Sequence, residues 1–154
     1  MCGIAGLIHK GKTVNIGKEL QDMLQALKHR GPDSTGFALY GEGKHGGDYI
    51  LRFKVGENVG EGSSSVNEDA SVYDQRKKLV DRMLSDLGAR IAKEERLTPY
   101  SFRYEMKYDK DLMEFSKKIE SVEMTEILSL GKSLELVKDI GDASVVSNNM
   151  DWIK

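Results

Sequence analysis

The order of apolar and polar residues in the first third of the chain predicts strands around one helix. Residues 3–9 form a short apolar run with small side chains, which predicts a buried strand that carries residue 2 to the interior end of a sheet. Between 16 and 27 the apolar residues recur at helical spacing, and Asn15 is a candidate N-cap. Residues 36–40 and 48–55 then predict two antiparallel strands that pair with each other.

A change of composition follows these elements. Residues 56–69 are rich in Gly, Ser, Asn and Glu, which is typical of an exposed linker. Apolar residues from Val72 to Ile91 then recur at helical spacing and predict one long amphipathic helix, which Pro99 would end. The sequence therefore predicts a domain boundary within the polar stretch.

Strict alternation begins at residue 100. Five apolar residues, four of them aromatic, alternate with polar ones over 100–108, which predicts a half-buried strand. Such an aromatic stripe can be a binding platform or the apolar face of a sheet, and its two-residue period favours core. Further along, 109–120 predicts a helix, and 127–140 predicts a hairpin around residues 131 and 132. The tail from residue 142 begins like a short helix.

This succession of elements predicts an α+β fold. Residues 57–123 are interpreted as an inserted small α/β lobe, and residues 1–56 with 124–154 as the main domain. A chain of 154 residues is long enough for one domain with such an insertion and too short for a two-domain synthetase.

Composition excludes several classes of function. With 23 basic and 25 acidic residues, the chain has no excess of positive charge for nucleic acid or for a membrane surface. Three scattered histidines have no metal-ligand spacing, and a single cysteine excludes an internal disulfide. No apolar run approaches membrane-spanning length, and the basic residues follow the first apolar stretch, unlike those of a signal peptide. We therefore expect a cytoplasmic protein with no metal, no nucleic acid and no membrane as a partner.

The single cysteine occupies position 2. If Met1 is removed, Cys2 carries both a thiol and a free α-amine with a pKa of about 8, which can accept the thiol proton. No distant histidine is then required as a base. Two other interpretations are open: a small buried apolar residue, or a redox or modification site on a structural protein.

A second segment favours the catalytic interpretation of Cys2 over these alternatives. It reads His29-Arg30-Gly31-Pro32-Asp33-Ser34-Thr35-Gly36. Together with the opening Cys2-Gly3-Ile4, it resembles the start of class II glutamine amidotransferases, which are N-terminal-nucleophile hydrolases. The resemblance implies the first part of a four-layer αββα sandwich. It also implies that Cys2 is the catalytic nucleophile, which attacks the side-chain amide of glutamine and releases ammonia.

The resemblance also implies roles for the second segment. Arg30 and Gly31 would lie beside Cys2 and shape the substrate site. From the residues alone, Arg30 can equally be a cation at a helix end and Gly31 the helix cap. The remaining members would support the turn, with Asp33 and Ser34 expected to hydrogen-bond within it. These supporting residues are His29, Pro32, Asp33 and Ser34.

Other parts of the family pattern are absent from this sequence. There is no Asn-Gly pair for an oxyanion hole, and no arginine follows Arg103 to bind the glutamine carboxylate. The region from 127 to 135 resembles amidotransferase subunits related to glutamate synthase and N-methylglutamate synthase. We therefore expect a part of a longer amidotransferase, truncated at its C-terminus and a poor glutaminase alone, that needs a complementing segment or self-association.

The resemblance implies glutamine and an ammonia-accepting synthase subunit as partners. Flavin and iron-sulfur centres would belong to other subunits, and this chain would bind no cofactor. The alternative is a non-catalytic assembly or binding subunit that retains the amidotransferase fold.

Overall fold

The computed structural model describes residues 2–11, 15–30, 33–57 and 69–148. Helices and antiparallel strands are mixed along the chain, so the α+β prediction is confirmed at that level. The helices are α1 (Ile16–Ala26), α2 (Ala70–Leu87), α3 (Leu112–Ile119) and α4 (Ala143–Asn148), with a 3-10 turn at Lys28–Arg30. The strands are β1 (Ser34–Tyr40), β2 (Asp48–Lys54), β3 (Arg90–Arg96), β4 (Ser101–Lys107), β5 (Glu126–Gly131) and β6 (Leu134–Ile140).

The chain divides into two compact units. The first contains Met1–Gly36, Gly60–Gly62 and Lys138–Lys154, and the second contains Phe37–Val59 and Ser63–Val137. The predicted boundaries of the inserted lobe, 57–123, stay a prediction. Most of the predicted linker, residues 58–68, lies outside the described residues.

A four-stranded antiparallel sheet forms the framework of the second unit, in the order β3-β4-β2-β5. On β2 and β4, Leu51 lies opposite Tyr104 and Phe53 lies opposite Phe102. The Phe53 ring stacks on Phe102 at a centroid distance of 5.3 Å and meets the edge of Tyr104 at 5.1 Å. Residues of α2 and α3, including Leu84, pack in the same cluster. The predicted strand at 100–108 and its role as core are thus confirmed.

In the first unit, α1 begins where the sequence predicts. Asn15 is the N-cap residue by position, but its side chain makes no capping hydrogen bond. The helix α4 confirms the predicted short helix after residue 142. Leu20 of α1 is buried, and so are Ala143 and Val146 of α4.

Two predicted strand pairings are wrong, although the strands themselves exist. β2 lies between β4 and β5, and β1 pairs with β6 in a separate two-stranded sheet. β5 and β6 also lie in different sheets, so the predicted hairpin at 127–140 does not form. A two-residue hairpin turn needs a positive φ, and neither Gly131 nor Lys132 has one.

The predicted end of the long helix is also wrong. α2 ends at Leu87, because Gly88 adopts the left-handed conformation with φ 87° and closes the last turn. Ile91, assigned to the helix by its spacing, lies on β3, and Pro99 follows that strand. The strand β3 was not predicted, because its polar residues resemble the exposed face of a helix.

The predicted buried strand at residues 3–9 is not formed. Residues 2–9 are neither helix nor strand, and Ile4 and Ile8 are 92% and 95% exposed. A strand requires a hydrogen-bonded neighbour, and no strand pairs with this segment among the described residues. Cys2 is accordingly exposed and not carried into the interior of a sheet.

Candidate functional site

Cys2 lies in an extended segment of the first unit, and one face of this segment is half-buried. Gly3, Ala5, Leu7 and His9 are half-buried, whereas Cys2 and the residues that alternate with them are exposed. The His9 Nε2 atom lies 2.9 Å from Glu19 Oε2 of α1, which holds the end of the segment. The free thiol therefore stands on the open side of the segment.

The residue after the cysteine lies close to the second motif. A Cβ atom placed on Gly3 would lie 3.2 Å from Leu27 Cβ and 3.7 Å from Arg30 Cβ. Any side chain at position 3 would thus crowd the end of α1. The structure brings Gly3, the residue beside Cys2, close to Arg30, although the two are 27 residues apart in sequence.

The other described residues of the second motif lie on the 3-10 turn and at the start of β1. His29 and Arg30 are exposed on the 3-10 turn, and Gly31 and Pro32 lie outside the described residues. The backbone oxygen of Asp33 accepts a hydrogen bond of 3.2 Å from the Gly141 amide. The turn is therefore joined to the chain that follows β6.

Thr35 and Gly141 strengthen that junction. Thr35 Oγ1 donates a 2.8 Å hydrogen bond to the Gly141 oxygen. Gly141 has a φ of 122°, and a Cβ there would approach Val145 Cγ1 to 2.9 Å. Only glycine fits this position without strain. The sequence showed Thr35 within the second motif but gave it no role, and Gly141 was not singled out, because the junction joins segments more than one hundred residues apart.

A polar cavity opens beside Gly3. Its volume is about 80 Å³, more than one water molecule needs. Lys28 and Asp142 bring opposite charges to its wall, and Ser34 and Thr35 bring hydroxyl groups. The remaining lining residues are Gly3, Leu24, Leu27, Gly36 and Ala143.

Asp142 is held as an anion at the start of α4. Its Oδ1 atom accepts hydrogen bonds from the backbone amides of Ser144 at 3.0 Å and Val145 at 3.1 Å. Its Oδ2 atom accepts from Gln25 Nε2 at 3.3 Å. The bond from Val145, followed by that from Gln25, lowers the pKa of the Asp142 carboxyl. The Asp-Ala-Ser start of α4 is a capping signal that could have identified Asp142 from sequence.

Gln25 links the two helices of the first unit. While its amide nitrogen donates to Asp142, its Oε1 atom accepts a 3.2 Å hydrogen bond from the Ser144 amide. One side chain on α1 thereby fixes the first turn of α4 at the cavity. Sequence reasoning did not single out Gln25, because nothing in the helical pattern distinguishes it from the polar residues of the exposed face.

The described residues contain neither a cluster of metal ligands nor a membrane-spanning helix. Among these residues no group of three or more His, Cys, Asp and Glu side chains is arranged to hold a metal ion. None of the helices in the same ranges has the length and hydropathy needed to cross a membrane.

Comparison with known proteins places these motifs in context. No protein-family model matches the chain. The chain is 33% identical over 159 aligned positions to a "Putative glutamine amidotransferase" of Methanothermobacter thermautotrophicus, a match that covers all of this chain and 48% of the relative. It is 46% identical over 48 residues, 30% of the chain and 16% of the relative, to the "Glutamine amidotransferase-like protein GlxB" of Rhizobium meliloti.

A third relative is a "Putative asparagine synthetase", described as glutamine-hydrolyzing, from Methanocaldococcus jannaschii. It is 52% identical over 40 residues, 26% of the chain and 8% of that relative. The chain thus spans less than half the length of the curated relatives it matches. These similarities support a glutamine amidotransferase family for the chain.

Proposed function

We propose that this chain is the glutamine-hydrolysing part of a class II amidotransferase, with Cys2 as its nucleophile. The observation that carries the proposal is the position of Gly3, where an added Cβ atom would lie 3.2 Å from Leu27 Cβ and 3.7 Å from Arg30 Cβ. Two motifs that are separate in sequence therefore meet at one place. The amidotransferase names of the relatives support the same chemistry.

The proposed reaction begins at the free N-terminus. After Met1 is removed, the α-amine of Cys2 accepts the thiol proton, and the thiolate attacks the side-chain carbonyl carbon of glutamine. The ammonium group returns that proton to the leaving nitrogen, so ammonia departs and a γ-glutamyl thioester remains. Water then attacks the thioester, glutamate leaves, and the thiol regains its proton. No metal or redox cofactor takes part in these steps.

The surroundings of Gly3 suit a small zwitterionic substrate. The neighbouring cavity is lined by both Lys28 and Asp142. Arg30 and Gly31 are proposed to shape the site, and the junction of Asp33 with Gly141 supports its wall. His29, Pro32 and Ser34 would support the same turn, as the resemblance implies.

Two elements of a complete site are absent from this sequence. There is no Asn-Gly pair and no arginine after Arg103. Loss of oxyanion donors costs roughly a hundred- to a thousandfold in rate, and loss of the carboxylate ligand removes positioning as well. We propose that a further polypeptide supplies these groups, and that the ammonia passes to a synthase such as glutamate or N-methylglutamate synthase.

A glutamine-analogue electrophile tests the assignment of Cys2. The chain is incubated with 6-diazo-5-oxo-norleucine, with and without glutamine, and analysed by intact mass and peptide mapping. We expect a protein that lacks Met1 and carries an adduct on Cys2, formed more slowly when glutamine competes. Cys2→Ser is expected to abolish the adduct.

The opposite results have a defined meaning. Retained Met1, or an adduct on Cys2 that glutamine does not slow, contradicts the proposed mechanism. A folded chain that forms no adduct, and that still forms none when a polypeptide carrying the missing groups is added, favours a non-catalytic assembly subunit. The absent oxyanion and carboxylate groups are the observation that supports this alternative.

A further inference from the structure

The order of the strands in the second unit shows how its two helices are placed. Along residues 48–131 the elements follow one another as β2, α2, β3, β4, α3 and β5, and the sheet order is β3-β4-β2-β5. Each helix therefore joins two strands that have one antiparallel strand between them, which is the split βαβ arrangement. Side chains of both helices belong to the same core cluster, so α2 and α3 cover the same face of the sheet.

The inner and outer sides of these two helices differ in character. Four side chains, two from each helix, are fully buried on the inner side: Val80, Leu84, Phe115 and Ile119. The Lys110 Nζ atom donates a 3.0 Å hydrogen bond to the Leu87 oxygen, which joins the end of α2 to the chain just before α3. The helices also contact each other directly. Their outer sides therefore form one surface.

The outer side of α2 carries two neighbouring positive charges. Its exposed residues recur at helical spacing and are Ser71, Gln75, Lys78, Arg82 and Ser85. Lys78 and Arg82 are one turn apart, and like charges at this spacing destabilise a helix. Neither cation forms an ion pair in the part of the chain that the structure describes, and this includes Asp86, which stands one turn after Arg82.

The acidic residues of α2 that could balance these cations have other partners. Asp74 stands one turn before Lys78, but its Oδ1 atom lies 2.9 Å from the Nη2 atom of Arg96 on β3. The Asp81 Oδ2 atom lies 2.7 Å from the Nζ atom of Lys77. These ion pairs are made beside the outer stripe and not on it, so the charge of Lys78 stays uncompensated.

The helix α3 adds a further cation and an apolar side chain. Met113 is 69% exposed, and Lys117, one turn later, is exposed and forms no ion pair within the described ranges. The neighbouring Lys118 adds no net charge, because the Glu114 Oε1 atom lies 2.8 Å from its Nζ atom. On α2, Leu79 is 49% exposed beside the outer stripe. The surface called the helix face below consists of Lys78, Leu79, Arg82, Met113 and Lys117.

The helix face has the chemistry of a docking site for an acidic protein. Its three cations have no counter-ion among the described residues, and its two apolar side chains are open to solvent. The whole chain has a net charge of −2, so an acidic partner is attracted by this face and not by the molecule as a whole. None of the five residues is aromatic, whereas helices that bind membrane surfaces commonly insert Trp or Phe. These features favour a protein partner over an anionic lipid surface.

We propose that the helix face is the docking surface for an acidic amphipathic helix of a partner protein. This helix lies along the groove between α2 and α3, which is the helix-in-groove mode of recognition. Its carboxylates pair with the three cations of the helix face, and its apolar residues cover Leu79 and Met113. The docking does not depend on the proposed hydrolysis of glutamine, so either proposal stands if the other fails.

Synthetic helices test the docking on the whole chain. Three fluorescent peptides are made as long as α2, 18 residues, and all carry Leu at alternating third and fourth positions. The remaining positions are mostly Glu in the first peptide, Lys in the second and Gln in the third. By fluorescence anisotropy, we expect the Glu peptide to bind more tightly than the other two by ~10-fold or more. Its affinity should fall as salt is raised, because salt screens exposed charges.

Charge reversal identifies the surface that is used. Lys78→Glu and Arg82→Glu are each expected to weaken binding of the Glu peptide by ~10-fold, and the double variant should prefer the Lys peptide. Met113→Gln should also weaken binding by ~10-fold, because it removes an apolar contact. Lys138→Glu is the matched control and should bind like the original chain. Lys138 is likewise exposed and without an ion pair among the described residues, but it lies in the first unit. All four side chains are exposed, so the melting temperature should stay unchanged.

Each other outcome overturns the proposal. Similar affinity for the three peptides contradicts docking at the helix face, and so does a loss of Glu-peptide binding in Lys138→Glu as large as that in Lys78→Glu. Binding of phosphatidylserine vesicles that Lys78→Glu abolishes, without binding of the Glu peptide, would assign the face to an anionic membrane instead. Self-association of the chain that Arg82→Glu disrupts, without peptide binding, would assign it to a second copy.

Discussion

At the scale of single residues, Glu135 joins two arginines in the second unit. Its carboxylate accepts hydrogen bonds from the Nε atom of Arg52 and from the Nε and Nη2 atoms of Arg103, the latter two at 2.9 and 3.1 Å. Arg52 is only 2% exposed. Burial alone would raise the pKa of Glu135, but the Arg103 hydrogen bond and the Arg52 charge outweigh it and lower that pKa. The carboxylate therefore compensates charges that have little access to water.

Removal of this carboxylate should destabilise the fold strongly. Glu135→Ala removes the anion that Arg52 and Arg103 share. Arg103 keeps its ion pairs with Glu95 and Glu105, but the buried Arg52 loses its Glu135 ion pair, and breaking a buried ion pair in this way costs about 3–5 kcal/mol. Urea denaturation of the variant should show that loss in the free energy of unfolding. Glu126→Ala is the control, since Glu126 binds Lys54 at 2.9 Å but its side chain is 52% exposed. An exposed pair contributes about 0–1 kcal/mol, so equal losses in the two variants would contradict the argument.

The sequence could indicate candidate residues that belong to contiguous motifs. It could not indicate residues whose role depends on a contact with a distant part of the chain. Cys2 and Arg30 are candidates from sequence because their motifs are contiguous. Arg52 and Glu135 are not, because a charge on a strand has no signal for the partner that faces it across the sheet. Gln25 belongs to the same class, since its two hydrogen bonds reach residues 142 and 144.

At the scale of elements, the end of α2 depends on one glycine. The Ala89 amide donates a 2.9 Å hydrogen bond to the Leu84 oxygen, which closes the helix around Gly88 in the left-handed conformation. This geometry lets the chain reverse and begin β3 two residues later. Because a Cβ atom disfavours that conformation, the position is specific for glycine.

Gly88→Ala should therefore lower the free energy of unfolding by about 1–2 kcal/mol. Thermal and urea denaturation both measure this effect. Gly43→Ala is a suitable comparison, because Gly43 has no positive φ and nothing lies within 4 Å of an added Cβ. That variant should be neutral or slightly more stable. If Gly88→Ala were as stable as Gly43→Ala, the cap would not determine where α2 ends.

The periodic pattern of apolar residues predicted most of the helices and strands, but it did not predict which strands pair with each other. The helices α1 and α3 and the strands β2 and β4 appear where the pattern predicts them. The pairing of β1 with β6 was missed, because consecutive strands were expected to be neighbours. The predicted strand at 3–9 failed for a related reason: its alternation persists, but the described residues supply no neighbouring strand.

At the scale of the whole molecule, the α+β class followed from sequence and the distribution of the core did not. The main buried cluster of the described residues belongs to the second unit, and fourteen of these residues, from Leu51 to Val122, form it. The fully buried side chains Leu51, Phe53 and Tyr104 belong to its two central strands. The first unit carries the candidate chemistry on α1, the N-terminal segment and the turn at residue 33, which bury far fewer apolar side chains.

This division predicts uneven protection from hydrogen exchange along the chain. β2 and β4 are hydrogen-bonded on both sides and covered by the main cluster, so their amides should exchange most slowly. The amides of α1 and α4 should exchange at least tenfold faster, because those helices open without disrupting that cluster. Native-state hydrogen exchange read by mass spectrometry measures both groups in one sample. Protection of α1 equal to that of β2 would mean that the chain unfolds as one cooperative unit.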